Sequence, residues 1–336
     1  MSRIQCFHTY EDIISLNNLL EAWKEFVRGK RNKRDVQEYQ LHLFDNLDGL
    51  HDDLKTKKYR HEGYEAFKVN DPKPRDIHKA SVRDRILHRA LYRKLYPFFD
   101  RLFIADSFSC RNNKGTHKAT DRFKAFAYQV SKNHTRTAWV LKCDIRKFFA
   151  SIDHGVLLKI FNDCIPNKDI IWLINEIVSS FHSTKTGVGL PLGNLTSQLL
   201  TNIYMNEFDQ FVKHNLKMRY YIRYADDFVI MPHDHEELEK IIPKIQNYLS
   251  NNLKLTIHPD KIYIKTIASG VDYLGWVHFP DHRVLRTTTK KRMFRNIQEK
   301  KGKEETVQSY LGLLKHGNTH KLQENVDKYV NKGIEG

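Results

Sequence analysis

The chain has 336 residues, and 40% of them are hydrophobic, which is enough to build a sizeable core and excludes an intrinsically disordered protein. Its 56 Lys and Arg exceed its 40 Asp and Glu, giving a net charge of +16. No apolar stretch reaches the ~18 residues of a membrane-spanning helix, and the four cysteines form no CxxC pair. We therefore expect a soluble, cytoplasmic protein that does not bind membranes and lacks a zinc site.

The positive charge is concentrated in two segments. Residues 55–94 contain 13 Lys and Arg against 5 Asp and Glu, and residues 286–336 contain 12 against 6. These segments carry +8 and +6 of the total +16, so the rest of the chain is nearly neutral. Two basic segments around a neutral centre predict a protein that binds a nucleic acid. The alternative is that the basic helices are simply solvated.

The first part of the chain is predicted to be helical. Residues 1–35 predict a helical extension, and residues 36–58 continue with apolar side chains at helical spacing. A basic amphipathic helix is predicted to run from Ser81 toward Pro97. We expect the arginines of this helix to face outward: Arg83, Arg85 and Arg89.

Strands and helices alternate in the second part. The apolar run 138–144 predicts a buried strand that ends in Asp144, and two apolar runs in 219–231 meet at Ala225-Asp226 with room only for a β-hairpin. The other helices are predicted over 155–163, 169–181, 233–253, most of 287–333, and a segment capped by Asn194 or Thr196. This order predicts an α+β fold.

Three carboxylates mark the neutral centre. Asp144 ends a strand, and Asp226 and Asp227 stand at a hairpin tip. If the strand lies beside the hairpin, the three converge and offer the hard oxygen ligands that Mg²⁺ prefers. Two such ions would support phosphoryl transfer. The alternative is a solvated Asp-Asp turn.

The sequence resembles a reverse transcriptase over about residues 40 to 280. Tyr224-Ala225-Asp226-Asp227 matches the YxDD box, and Cys143-Asp144-Ile145-Arg146-Lys147-Phe148-Phe149 resembles the motif with the first metal-binding aspartate. The other motifs occur in the family order: Pro74 to Ile86, Ser107 to Ala119, Leu253 to Lys261 and Tyr273 to Trp276. Each motif alone is weak, and the ordered set is strong.

The resemblance implies a right-hand polymerase with fingers, palm and an α-helical thumb. The implied domains are an N-terminal extension (1–40), fingers (41–135), palm (136–284, with part of the fingers at 155–192) and thumb (285–336). It also implies that Asp144, Asp226, Asp227 and the backbone carbonyl of Ile145 hold two Mg²⁺ ions, with Mn²⁺ as a substitute.

The resemblance further implies how the substrates bind. Arg75 and Lys73 would clasp the triphosphate of a dNTP, and Phe149 would exclude a ribose 2′-hydroxyl. The template RNA and the RNA–DNA hybrid would be held by basic side chains: Arg83, Arg85, Arg111, Lys261, Lys290, Lys291 and Arg292. The alternatives are a surface salt bridge for Arg75 and a core position for Phe149.

One departure from the family pattern is informative. Most members carry Gln-Gly in the loop beside the new base pair, whereas this chain carries Leu192-Gly193 and ends the motif with Gln198. This variant resembles the enzymes of diversity-generating retroelements, which copy a template RNA with errors at adenines and work with a small basic accessory protein. The alternatives are an antiviral-defence or group II intron-like reverse transcriptase, or an inactive RNA-binding module.

Overall fold

The computed structural model describes residues 5–70, 74–232 and 234–326, so Lys73 lies outside the described residues. The helices are α1 Tyr10–Ile14, α2 Leu16–Phe26, α3 Arg34–Leu41, α4 Leu43–Lys55, α5 Val82–Asp100, α6 Thr116–Val130, α7 His154–Cys164, α8 Lys168–Ser179, α9 Leu195–Gln210, α10 His235–Leu253, α11 Thr287–Glu299 and α12 Glu304–Leu314. The strands are β1 Tyr64–Val69, β2 Arg75–Ala80, β3 Trp139–Asp144, β4 Tyr221–Tyr224, β5 Asp227–Ile230, β6 Tyr263–Thr266, β7 Val271–Tyr273, β8 Trp276–His278 and β9 Arg283–Leu285.

These elements form two units. The first contains the described residues up to Ala105, together with Ile145–Asn215 and Lys244–His258. The second contains Asp106–Asp144, Leu216–Pro243 and the described residues from Pro259 onward. The fingers, palm and thumb boundaries expected from the sequence stay a prediction.

The first unit is built on helices. The hydroxyl of Ser15 accepts a hydrogen bond from the backbone N–H of Asn18 and so caps α2. The helix buries Leu19, Trp23 and Phe26, which recur at helical spacing, and it packs on α5, which in turn packs on α9. The antiparallel hairpin β1–β2 also belongs to this unit, and most of its side chains are exposed.

The second unit contains a four-stranded antiparallel sheet in the order β4-β5-β3-β6. Helix α6 packs on β4, and a core that includes Phe123, Ile222, Val229 and Tyr273 fills the space around them. Since β3 pairs with β5, the residue opposite Asp144 is Asp227.

A smaller antiparallel sheet, β7-β8-β9, leads to the last helices of the second unit. Trp276 of β8 shares a buried core with Met293 of α11 and Leu314 of α12. A Cβ atom at Gly317 would collide with the Trp276 ring, so a glycine is required where the chain leaves α12.

The predicted α+β class is confirmed, and so are the strand ending at Asp144 and the hairpin joined at Ala225-Asp226. Helix α5 does not end at Pro97 but continues to Asp100, because Phe98 and Phe99 are buried and hold its last turn. Asn194, one of the two predicted caps, occupies the N-cap position of α9, but its side chain makes no capping hydrogen bond. Of the helices in the part of the chain that the structure describes, none has the length and apolarity of a membrane span.

The prediction that Arg83 and Arg85 face outward was wrong. The Arg83 guanidinium lies 2.5 Å from the Asp53 carboxylate, and the Arg85 guanidinium lies 2.6 Å from the Asp35 carboxylate. Both arginine side chains are only 19% exposed. These ion pairs fix α5 to the N-terminal helices.

Candidate active site

Two neighbouring strands of the second unit bring the three predicted aspartates together. Asp144 is the last residue of β3, and Asp227, directly opposite it, is the first residue of β5. Asp226 precedes Asp227 in the two-residue turn between β4 and β5. Residues paired across antiparallel strands have Cβ atoms about 4.5–5.5 Å apart, so the carboxylates share one edge of the sheet.

A buried arginine supports the turn that carries Asp226. Arg223 of β4 is fully buried, and its guanidinium donates hydrogen bonds to the Ala225 carbonyl oxygen (3.0 Å) and the Ser107 hydroxyl (3.1 Å). Ala225 has φ +55°, a left-handed conformation that costs a non-glycine residue about 1 kcal/mol. The Arg223 hydrogen bond therefore stabilises a strained turn.

The aspartates perturb one another. Burial raises the pKa of the Asp226 carboxyl to about 6, and the negative charges of Asp144 and Asp227 add to the increase. Burial also raises the pKa of Asp227, while the nearby Lys142 opposes that increase. Like charges on directly opposed strand positions repel, so this edge favours a bound positive charge.

Two lysines supply part of that charge. The Lys261 ammonium lies 2.7 Å from Asp144 Oδ1, and the Lys142 ammonium lies 3.3 Å from Asp227 Oδ1. The structure pairs Lys261 with an aspartate, and its expected contact with nucleic acid stays a prediction. Lys142 was missed, although it stands two residues before Asp144 and therefore on the same face of the strand.

Within the described residues, no three Asp, Glu, His or Cys side chains are grouped tightly enough to form a complete metal site. The donor set nevertheless fits a hard divalent cation. Asp227 Oδ1 is buried and receives no well-aligned hydrogen bond, and the charges of Asp144 and Asp227 help raise the pKa of Asp226. Cys143 is not part of this set, because burial raises the pKa of its thiol and keeps it protonated.

The residues expected to bind a dNTP lie in the first unit. Arg75 begins β2 with an exposed side chain, and its strand neighbour His78 donates its backbone N–H to the Leu192 carbonyl oxygen at 2.9 Å. A Cβ at Gly193, where φ is +101°, would lie 2.7 Å from the Ile77 side chain. The hairpin with Arg75 and the Leu192-Gly193 loop are thus joined.

Three other residues that the sequence singled out belong to the first unit. The Phe149 carbonyl oxygen accepts a hydrogen bond of 2.8 Å from the Leu190 backbone N–H. This bond ties Phe149, which is predicted to exclude a ribose 2′-hydroxyl, to the loop with Leu192 and Gly193. The Asn194 side chain does not cap α9 but donates a hydrogen bond to the His78 carbonyl oxygen at 2.8 Å. Ile145 pairs with Ile257 in an isolated β-bridge, and its predicted role as a metal ligand stays a prediction.

The remaining basic residues predicted to contact nucleic acid lie in the second unit. Lys290 and Lys291 are exposed on α11, whereas Arg292 is partly buried. The Arg111 guanidinium donates a hydrogen bond to the Ser107 carbonyl oxygen at 3.1 Å. Lys290 and Lys291 are therefore better placed for phosphate contacts than the ion-paired Arg83 and Arg85.

Comparisons with known proteins agree with this geometry. The family model described as "Reverse transcriptase (RNA-dependent DNA polymerase)" matches residues 68–278, which is more than half of the chain. Protein YkfC of Escherichia coli is 26% identical over 288 residues, covering 74% of this chain and 73% of YkfC. The group II intron-encoded protein LtrA of Lactococcus lactis is 23% identical over 292 residues, covering 67% of this chain.

The matched segment spans 47% of the length of LtrA and 36% of a putative COX1/OXI3 intron 2 protein of Saccharomyces cerevisiae. Among solved structures, apo telomerase from Candida tropicalis superposes with a TM-score of 0.50 at 13% identity, covering 73% of this chain and 60% of the telomerase chain. That likeness shows the right-hand polymerase fold. The chain belongs to the reverse transcriptase family, the RNA-dependent DNA polymerases.

Proposed function

We propose that this chain copies a template RNA into cDNA at the edge formed by Asp144, Asp226 and Asp227. The observation that carries the proposal is the placement of these carboxylates where two paired strands and a turn meet, so that burial and repulsion from Asp144 and Asp227 raise the pKa of Asp226. A protein gains no stability from such repulsion, so the arrangement favours function over structure.

Reverse transcriptases generally use divalent metal ions, and we propose that Asp144 and Asp226 hold two Mg²⁺ here. Bound ions of this kind stabilise charge on the attacking and leaving oxygens of phosphoryl transfer. Asp227, paired with Lys142, would add negative potential. Lys261 would exchange its contact with Asp144 for a contact with phosphate when substrate binds.

We propose that Arg75 and Phe149 contact the dNTP. Arg75 is exposed at the start of β2, and a guanidinium can bind phosphate oxygens in pairs. Phe149 would reject a ribose 2′-hydroxyl by steric contact. The backbone links from His78 to Leu192 and from Leu190 to Phe149 support a shared role for these segments.

We propose that copying is error-prone at adenines, as in a diversity-generating retroelement. Leu192 lacks the side-chain amide of the Gln that most members carry there, an amide that could hydrogen-bond the incoming base pair. A wrong pair would therefore lose less binding energy, relative to a correct pair, than in an enzyme with Gln. The small basic accessory protein of these systems is inferred from the same resemblance. The second candidate is a group II intron-like enzyme, which the similarity to LtrA favours.

Primer extension on an RNA template with dNTPs and Mg²⁺ tests the activity. We expect extension by the wild type and none by the Asp226→Ala, Asp227→Ala double variant. A wild type that fails to extend, with and without an accessory protein encoded nearby, would refute the polymerase.

Sequencing of the cDNA separates the two candidates. Errors concentrated at template adenines, and reduced by Leu192→Gln, support the diversity-generating enzyme. An even, low error rate that Leu192→Gln leaves unchanged supports the group II intron-like enzyme.

A further inference from the structure

An apolar groove lies between α2 and α4 in the first unit and shares no residue with the candidate active site. It has a volume of about 410 Å³, with Leu16 and Leu20 on the α2 side and Phe44 and Leu47 on the α4 side. Phe44 is 76% exposed and Leu16 is 44% exposed. Large apolar side chains clustered at a surface commonly mark an interaction site.

The two helices do not need these exposed side chains for their own packing. Helix α2 already buries Leu19 and Trp23, and α4 buries Leu50 and Leu54. The groove is therefore held open by helices that are anchored elsewhere, so a partner can bind without first ordering it.

The charge around the groove is opposite to that of the whole chain. Asp45 and Asp48 line it, and residues 41–54 contain four Asp but neither Lys nor Arg, although the chain has a net charge of +16. An acidic rim repels a nucleic acid and attracts a cationic partner. Apolar walls with an acidic rim together match a segment that is both apolar and basic.

We infer that this groove binds a basic amphipathic helix of a partner protein. Helix α4 has 13 residues and is therefore about 20 Å long, which accommodates about three to four turns of a bound helix. Apolar residues of the partner at helical spacing would contact Phe44 and Leu16, and its Lys and Arg would pair with Asp45 and Asp48. The inference does not depend on the polymerase activity.

Fluorescence anisotropy with the full chain tests the inference. The probe is a labelled 18-residue helix of leucine and lysine with the leucines on one face, and the matched probe replaces every lysine with glutamate. We expect the lysine helix to bind and the glutamate helix to bind at least tenfold more weakly. Equal binding of the two helices would overturn the inference.

Variants locate the binding surface. Phe44→Ser, and separately Asp45→Lys with Asp48→Lys, should each weaken binding of the lysine helix about tenfold. The matched controls are Tyr128→Ser, which removes another exposed aromatic ring, and Glu237→Lys with Glu304→Lys, which changes the net charge equally. The controls should bind like the wild type.

Three further results would overturn the inference. The groove variants could bind the lysine helix like the wild type, or the control variants could lose binding equally. Light scattering could also show a dimer that Phe44→Ser converts to a monomer, which would make a second copy the occupant. RNA-templated extension by Phe44→Ser should be unchanged, which would separate a loss of helix binding from a failure of the proposed function. If Phe44→Ser does not fold, the Asp45→Lys, Asp48→Lys variant tests the groove in its place.

Discussion

Burial of the Asp226 carboxylate, together with repulsion from Asp144 and Asp227, predicts that a neutral residue at position 226 stabilises the metal-free protein. In Asp226→Asn the carboxylate becomes an amide of nearly the same shape. The pKa of Asp226 rises from 3.8 to about 6 on folding, so ionising it in the folded state opposes stability. About two pKa units correspond to about 3 kcal/mol, and the partial exposure of the side chain lowers the expected gain to about 1–3 kcal/mol.

The pH dependence of the free energy of unfolding shows whether ionisation of Asp226 causes the difference between the wild type and the variant. Because the pKa of Asp226 is higher in the folded than in the unfolded protein, the wild type loses stability relative to Asp226→Asn as pH rises from about 4 to about 6. The advantage of Asp226→Asn should therefore be full at pH 8 and vanish near pH 4. Denaturant unfolding in the presence of a chelator measures it, with Asp52→Asn on the exposed side of α4 as the matched control.

Added Mg²⁺ provides a second readout. The ion should stabilise the wild type by offsetting the repulsion, and it should stabilise Asp226→Asn much less, because one ligand has lost its charge. A variant that is no more stable than the wild type at pH 8, or that keeps its advantage at pH 4, would refute the reasoning.

Single contacts and exposed charges lead to three further predictions. Lys142→Met leaves the Asp227 carboxylate without its cation and should lower the free energy of unfolding at pH 8 by about 2 kcal/mol. Lys265→Met, on the exposed face of β6, should not lower it, and equal losses in the two variants would contradict a stabilising ion pair. Gly193→Ala should lower stability more than Gly187→Ala, because both have positive φ but only Gly193 faces Ile77; equal thermal unfolding midpoints would be the contrary result. Replacing Lys290 and Lys291 with Ala should reduce the slope of log affinity for template–primer against log salt concentration by about 1.5–2. Replacing Arg83 and Arg85 with Ala should reduce this slope less, because both are ion-paired, and filter binding over a range of salt concentrations measures both slopes.

The positions of the three aspartates could be predicted from the sequence because the signals for their strand and hairpin are local. The apolar runs on either side of Ala225-Asp226 leave room only for a tight hairpin, and the apolar strand before Asp144 is short and uninterrupted. The sequence does not determine how these strands pair, since the register of β3 against β5 depends on contacts more than 80 residues apart in the chain.

Features that depend on distant parts of the chain, or on exposed strands without apolar alternation, had no local signal in the sequence. The hairpin β1–β2 was not predicted, because most of its side chains are exposed and show no apolar alternation. The partners of Arg83 and Arg85 lie 30 and 50 residues earlier, so their ion pairs had no local signal. Arg223 was missed because both faces of β4 are buried, which leaves no pattern to mark a functional side chain.

The most direct test of the proposed active site is single-nucleotide extension of a primer on an RNA template by the wild type and by Asp144→Asn. Asp144 stands opposite Asp227 and is the only one of the three carboxylates that β3 provides. We expect the wild type to add the complementary dNMP in Mg²⁺ and the variant to be at least 10³-fold slower while remaining folded and bound to the primer–template. Extension by Asp144→Asn at a rate close to that of the wild type would contradict the proposal that this edge is the site of DNA synthesis.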